Sequence, residues 1–83
     1  LSQNYPNPFN PTTTIGYFLP YDAEVKIEIY NLLGQKVATL VDEHQLAGRK
    51  STTWDASQYS SGIYFYKLAA GEETFTRRMA LLK

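Results

Sequence analysis

Among the residues capable of acid–base or metal chemistry, one compact cluster stands out in this sequence. Asp42, Glu43 and His44 are adjacent and combine two carboxylates with an imidazole. Three consecutive residues converge on one metal ion only with poor geometry, and a catalytic base also needs a positioned partner in a dry pocket. The sequence therefore favours a solvated loop over residues 42–48.

The remaining polar pairs also lack a chemical partner. Ser60 and Ser61 have no histidine at a spacing typical of a nucleophile and its base, so they indicate a turn. Glu72 and Glu73 follow a glycine and are expected at an exposed hairpin tip. The 83 residues contain one histidine and no cysteine, which excludes disulfides, thiolate metal sites and a cysteine nucleophile. We therefore expect no catalytic residue, no metal and no cofactor, and we expect that the protein is not an enzyme.

Charge is balanced over the whole chain but not along it. Eight basic and eight acidic residues give a net charge of zero, so nothing indicates a nucleic-acid or anionic-membrane partner. Near the C-terminus, Arg77, Arg78 and Lys83 carry positive charge with no acidic residue among them. A basic edge strand that discourages aggregation explains this on physical grounds alone. A strand-shaped recognition tag, read by strand addition or by charge, is the functional alternative.

Aromatic residues make up 14% of the chain, and three of them are consecutive within the β-prone segment 63–69. Tyr64 and Tyr66 fall on one face and Phe65 on the other, which predicts a central strand with Phe65 partly covered. An exposed platform for sugar rings is the alternative, but Tyr30 and Phe18 do not clearly extend it into a groove. Carbohydrate binding is therefore an alternative that the sequence does not favour.

Period-two alternation of apolar residues dominates from Thr12 onward and predicts an all-β chain. Gly34 is placed to supply the left-handed residue of a bulged hairpin, and Trp54 is expected between two sheets. The pattern indicates one domain over residues 1–83, a small antiparallel β-sandwich of about seven short strands. Strands are predicted over residues 12–19, 25–30, 35–41, 49–55, 63–69 and 73–82.

The four prolines all lie within the first twenty residues and shape a leader over residues 1–11. Proline removes an amide donor and favours extended geometry, while asparagine at every third position can form side-chain turns. We expect an ordered cap on one end of the domain, in which Tyr5 and Phe9 pack as apolar pegs. The motif residues of the leader are Asn4, Tyr5, Pro6, Asn7, Pro8, Phe9, Asn10 and Pro11.

Taken in order, these motifs resemble the type IX secretion system type A C-terminal sorting domain. The similarity covers essentially the whole chain and is most specific in the leader. It implies an immunoglobulin-like sandwich close to that of the flagellar hook-capping protein. The residues that carry the similarity are Gln3 to Pro11, Thr14, Ile15, Leu19, Pro20, Val25 to Tyr30, Asn31, Leu33, Gly34, Gln35, Val37, Ala47, Gly48, Trp54, Asp55, Ser61 to Tyr66, Arg78, Met79 and Lys83.

The resemblance also implies a function. A domain of this kind ends a secreted bacterial protein and directs the upstream cargo from the periplasm across the outer membrane, usually followed by proteolytic removal. Its partners would be the outer-membrane secretion machinery, the processing protease and the cargo domain of a longer chain, of which these residues would be an excised piece. The protein would be secreted or held at the cell surface. The candidate recognition residues are Arg77, Arg78, Lys83, Gly62 and Tyr64.

Two other functions fit the same sequence. One is a carbohydrate-binding accessory module that tethers a secreted hydrolase to its polymer. The other is a purely structural immunoglobulin-like spacer. Binding of the isolated domain to polysaccharide, lost in Phe65→Ala or Tyr30→Ala, would favour the first of these rivals. Failure to direct export, without any sugar binding, would favour the second.

Overall fold

The chain folds into two antiparallel sheets that face each other as a sandwich. A computed structural model describes residues 1–8 and 11–82 and places six strands in them. The smaller sheet pairs β1 with β4, and the larger sheet has the order β3-β2-β5-β6. The predicted all-β antiparallel sandwich is confirmed. The strands are β1 (Thr12–Leu19), β2 (Ala23–Asn31), β3 (Lys36–Gln45), β4 (Gly48–Asp55), β5 (Gly62–Ala70) and β6 (Glu73–Leu81).

Period-two alternation places one face of each central strand in a shared core. Strand β5 lies between β2 and β6, and Phe65 is half-buried on the face of β5 away from the core, as predicted. The described part of the chain holds no helix of the length and apolarity that crossing a membrane requires. The core residues are Ile15, Tyr17, Leu19, Val25, Ile27, Ile29, Trp54, Ala56, Tyr64, Tyr66, Leu68, Met79 and Leu81.

The number of strands is lower than the sequence predicts. The described residues form six strands rather than about seven, and the leader contributes a single antiparallel bridge between Tyr5 and Thr14. The leader cannot extend that bridge into a strand because its prolines lack the amide hydrogens that a ladder needs.

The predicted loop over residues 42–48 is wrong, because β3 continues through Gln45. Asp42 lies opposite Lys26, and His44 lies opposite Glu24 with 3.4 Å between its Nδ1 and the Oε1 of the carboxylate. Such cross-strand pairs of opposite charge stabilise polar residues in a strand.

The turn between β2 and β3 confirms the prediction for Gly34. The φ angle of Gly34 is +83°, a conformation that residues with a side chain rarely adopt. The carbonyl of Asn31 accepts a hydrogen bond from the Gly34 amide at 3.0 Å, and its side-chain oxygen accepts from the Leu33 and Gln35 amides at 3.0 Å. The asparagine and the glycine together fix the hairpin.

Three aromatic rings close one end of the sandwich. Trp54 is only 3% exposed, and its ring centroid lies 5.3 Å from those of both Tyr59 and Tyr64. The Tyr59 hydroxyl donates to the Val37 carbonyl at 2.9 Å, which connects this cluster to β3. The predicted position of Trp54 between the sheets is confirmed.

Replacing Trp54 by alanine is expected to lower the free energy of unfolding by about 3–5 kcal/mol, because the ring fills the space between two tyrosines. Denaturant unfolding followed by circular dichroism measures this loss. Phe18→Ala is the matched control, because the Phe18 ring is 61% exposed, and we expect it to cost about 0.5 kcal/mol or less. Equal losses of unfolding free energy in the two variants, or a tryptophan emission maximum typical of water, would contradict the burial of Trp54 between the sheets.

Candidate functional site

The candidate site is the C-terminal strand β6, which forms one edge of the larger sheet. The six consecutive residues Glu73–Arg78 are all exposed. Arg77 lies opposite Tyr66 of β5, and Arg78 lies opposite Phe65. Because side chains alternate along a strand, the two arginines project from opposite faces of the sheet. Strand β6 therefore presents positive charge on both sides of one edge.

The other candidate recognition residues lie in different environments. Gly62 opens β5 opposite Leu81. Tyr64 is buried in the core, where its hydroxyl donates to the Ser60 carbonyl at 2.7 Å. Lys83 lies outside the described residues. The structure thus exposes Arg77 and Arg78 on opposite faces of one edge strand, while Tyr64 faces the core; a recognition role for any of these residues stays a prediction.

The leader runs beside β6 and bonds to it through side-chain amides. Gln3 Nε2 donates to the carbonyl of Arg78 at 2.9 Å, and the Asn7 side-chain oxygen accepts from the Ala80 amide at 2.9 Å. Arg77 Nη2 donates to the Leu1 carbonyl at 3.3 Å. The part of the β6 edge at Arg78 and Ala80 is therefore capped.

On its other side, the leader bonds to β1 through its own backbone. The Ser2 amide donates to the Gly16 carbonyl at 2.9 Å. Tyr5 and Thr14 exchange two backbone hydrogen bonds of 2.8 Å each. The leader therefore extends the two-stranded sheet toward β6 and closes one side of the sandwich.

The hydroxyl of Tyr66 holds the leader from inside the sandwich. Tyr66 is fully buried on β5, and its oxygen accepts the Asn4 amide at 2.8 Å while donating to the Ser2 carbonyl at 2.9 Å. Burial raises the pKa of this hydroxyl, although the Asn4 amide and the charge of Arg77 act in the opposite direction. The hydroxyl therefore remains protonated and able to donate at neutral pH.

The side chain of Asn4 completes this network. It is only 3% exposed, and its Nδ2 donates to the Thr13 hydroxyl at 2.9 Å and to the Pro6 carbonyl at 3.1 Å. The Thr13 hydroxyl donates to the same carbonyl at 2.9 Å, and the Asn4 Oδ1 accepts from Gln3 Nε2 at 2.7 Å. Each polar atom of the buried asparagine side chain is thus bonded, as burial requires.

The expectation that Tyr5 packs as an apolar peg is wrong. Tyr5 is 79% exposed, because in the extended leader Asn4 faces the core and the next side chain faces solvent. Phe9 and Asn10 lie outside the described residues. Pro6 and Pro8 are exposed and follow cis peptide bonds, and the Pro11 carbonyl accepts from the Ala56 amide at 2.9 Å.

Sequence reasoning missed three residues that hold the leader: Gln3, Thr13 and Tyr66. A signal existed for Tyr66, because alternation places it in the core and a buried tyrosine hydroxyl requires a partner. Gln3 belongs to the leader motif, but nothing local in the sequence indicates its bond to β6, and nothing local marks Thr13.

The outer face of the larger sheet carries an aromatic pair beside the β6 edge. Tyr30 lies directly opposite Phe65, whereas Phe18 belongs to the other sheet. That these residues form no groove for sugar rings stays a prediction. The Tyr30 hydroxyl donates to Glu28 at 3.1 Å, and Lys36 Nζ lies 3.2 Å from the same carboxylate. Partial burial acts to raise the pKa of Glu28, but these two contacts outweigh it and lower the pKa.

The acidic cluster at residues 42–44 is divided between the two faces of β3. Asp42 and His44 face outward, opposite Lys26 and Glu24, while Glu43 lies opposite Val25 on the other face. Within residues 1–8 and 11–82, no group of three or more acidic or histidine side chains could hold a metal ion. These three residues therefore each face a partner on β2 and do not converge on a common point.

Replacing Tyr66 by phenylalanine is expected to lower the free energy of unfolding by about 2 kcal/mol. The change leaves the Asn4 amide and the Ser2 carbonyl without their buried partner. We also expect a protease of broad specificity to trim the leader faster. Tyr30→Phe, which removes a hydroxyl on the outer face, is the control and should cost under about 1 kcal/mol. Equal stability and equal trimming in the two variants would show that the hydroxyl does not hold the leader.

Comparison with known proteins supports the resemblance that the sequence motifs carry. The family model for the secretion system C-terminal sorting domain matches residues 3–81, a span that includes the residues of the leader that cap β6 and all of β6 itself. No curated protein and no solved structure gave a significant match. Since the family match extends over nearly the whole chain, the chain belongs to the type IX secretion C-terminal sorting domains, a tail that implies export to the cell surface or beyond.

Proposed function

We propose that this domain is a non-catalytic export signal that carries an attached upstream cargo from the periplasm across the outer membrane. The type IX machinery would read it at β6, and a processing protease would then separate it from the cargo. The observation that carries the proposal is the exposed edge strand, with Arg77 and Arg78 on opposite faces and the leader bonded beside them.

The charges of the two arginines support a recognition role. Among the described residues, Lys36 pairs with Glu28, and His44 lies beside Glu24 and forms an ion pair only when its imidazole is protonated. No carboxylate there neutralises Arg77 or Arg78. An exposed and unpaired guanidinium can form a bidentate bond with a carboxylate of a partner protein. A partner that approaches the edge of β6 could contact both arginines at once.

A local charge pattern suits a sorting signal, because a net charge of zero cannot distinguish this domain from other folded domains in the periplasm. The whole chain has a net charge of zero, so it has no overall attraction for a charged receptor. Like charges brought together across an interface cost several kcal/mol, which makes a local pattern specific. In the sequence, Lys83 is a further positive charge that follows Arg78 with no acidic residue between them.

A non-catalytic role agrees with the distribution of acid–base groups. His44 and its acidic neighbours lie in a strand and face cross-strand partners, with no arrangement of nucleophile and base among the described residues. Binding is the function that exposed arginines and aromatic residues support.

The test is export of a reporter that is targeted to the periplasm and fused upstream of residues 1–83, in a host with type IX machinery. Arg78→Glu is expected to reduce the exported reporter by about tenfold or more, because it inverts a charge that the machinery reads. The double variant Arg78→Glu/Lys83→Glu should reduce it further, and both should accumulate as folded protein in the periplasm.

Arg49→Glu is the matched control for this test. Arg49 is exposed and lies opposite Phe18 in the smaller sheet, just as Arg78 lies opposite Phe65 in the larger sheet. Normal export of Arg49→Glu with loss of export in Arg78→Glu supports reading at β6. Normal export of both variants would refute reading by charge, and no export of the unmodified fusion would refute the sorting function and favour a spacer.

Carbohydrate binding is a second candidate, which the adjacency of Tyr30 and Phe65 favours. Flat aromatic pairs on a sheet can stack against sugar rings. Retention of the domain on insoluble polysaccharide, lost in Tyr30→Ala and in Phe65→Ala but kept in Phe18→Ala, would support it. The absence of any retention would refute this candidate and leave the export signal unaffected.

A further inference from the structure

The charges over residues 72–78, at the start of β6, are inverted about Phe75. Two glutamates precede the segment Thr74-Phe75-Thr76, and two arginines follow it. Residues at equal distances on either side of Phe75 are therefore a threonine with a threonine and a glutamate with an arginine. A strand with this pattern is complementary to a second copy of itself in antiparallel orientation.

The edge of β6 is regular enough to accept another strand. Strand β6 pairs with β5 from Gly62 opposite Leu81 to Ala70 opposite Glu73 without a shift in register. The opposite edge of the sheet, β3, has two register shifts in its pairing with β2. Irregularities of this kind bend an edge away from new partners, and β6 lacks them.

Free backbone groups lie in the first half of this edge. The Arg78 carbonyl and the Ala80 amide point away from β5, because they bond to the leader. Groups on the same edge recur at every second residue, so the amides and carbonyls of Thr74 and Thr76 also point outward. No hydrogen bond from elsewhere in the described residues reaches these four groups.

We propose that the open edge of β6 pairs with the same edge of a second copy of this chain, about a two-fold axis at Phe75. Thr74 of each copy then faces Thr76 of the other, and each such pair exchanges two backbone hydrogen bonds. Glu73 of each copy faces Arg77 of the other, and Glu72 lies beside Arg78 of the other copy. The two larger sheets become one continuous sheet.

Phe75 gives the interface an apolar centre. Its side chain is 45% exposed and lines a groove with Leu1, Phe18 and Tyr21 at the end of the sandwich. In the proposed register the two Phe75 side chains meet at a non-hydrogen-bonded pair, where side chains approach most closely. Glu73 and Arg77 lie on the same face, so each ion pair flanks the apolar contact.

The leader limits the length of the interface. Because Gln3 caps the Arg78 carbonyl and Asn7 caps the Ala80 amide, pairing stops after the residues from Glu73 to Arg77. A five-residue strand contact is smaller than the interfaces of stable dimers. We therefore expect a reversible dimer with a dissociation constant on the order of 100 μM.

The dimer has one consequence that rests on the proposed function. Pairing would occupy Arg77 and Arg78, the residues proposed to be read by the secretion machinery. The monomer would then be the form that is exported. The association itself follows from the β6 edge alone and does not require that proposal.

The test is sedimentation velocity of the 83-residue chain between about 5 and 500 μM, a range that spans the expected dissociation constant. The unmodified chain should pass from monomer to dimer. Glu72→Lys/Glu73→Lys makes the edge wholly basic and Arg77→Glu/Arg78→Glu makes it wholly acidic, so each variant alone should remain monomeric. An equimolar mixture of the two should form a heterodimer, because every cross-strand charge pair is then attractive.

Arg49→Glu/Lys50→Glu is the control, since it reverses an adjacent basic pair on the smaller sheet and should dimerise normally. If a double variant fails to fold by circular dichroism, the single changes Glu73→Lys and Arg77→Glu provide the same comparison. A monomer at all concentrations, or a mixture that stays monomeric, would overturn the proposal. A dimer that persists on dilution and ignores charge reversal would instead indicate strand exchange and would also overturn it.

Discussion

The rest of this domain depends on the two hydrogen bonds that the buried Tyr66 hydroxyl makes to the leader. The smaller sheet has two strands and the larger sheet has four, so β1 and β4 alone leave part of the core without a cover. The leader supplies that cover, although its prolines prevent it from forming a regular strand. Backbone hydrogen bonds join it to β1, and on its core side one phenol oxygen bonds to two of its backbone groups, at 2.8 and 2.9 Å. A deep hydrogen bond thus substitutes for a missing strand.

The same arrangement connects the two ends of the chain. The leader that Tyr66 holds in place caps the β6 backbone with the side chains of Gln3 and Asn7, 75 and 73 residues away in sequence. It therefore decides which part of the β6 edge is closed and which part is open. Closure of the core and exposure of the C-terminal strand therefore both depend on where the leader lies. This explains why a sorting domain would carry a specific proline- and asparagine-rich segment so far from its terminal strand.

The alternation of apolar and polar residues predicts the strands, because a period of two residues depends only on neighbours in the sequence. The core positions of Trp54, Tyr64 and Tyr66 follow from side-chain direction along each strand. The orientation of the leader could not be predicted in this way, because it depends on the bridge between Tyr5 and Thr14 and on a hydroxyl 62 residues from Asn4. For the same reason, the sequence predicts a loop over residues 42–48 where β3 continues through Gln45, since partners on β2 stabilise that part of the strand. The charged residues of β6 were found from the sequence, but the caps on its backbone were not.

Amide hydrogen exchange at Asn4 tests the central claim most directly. The Asn4 amide donates to the buried Tyr66 oxygen, whereas the adjacent Gln3 amide donates to no described group. If the leader is part of the closed sandwich, the Asn4 amide should exchange as slowly as the Ile15 amide, which points toward β4 and not toward the leader, and the Gln3 amide should exchange faster. Exchange of the Asn4 amide at the rate of an unstructured peptide would contradict the account, because the leader would then be a linker and the edge of β6 would not be capped.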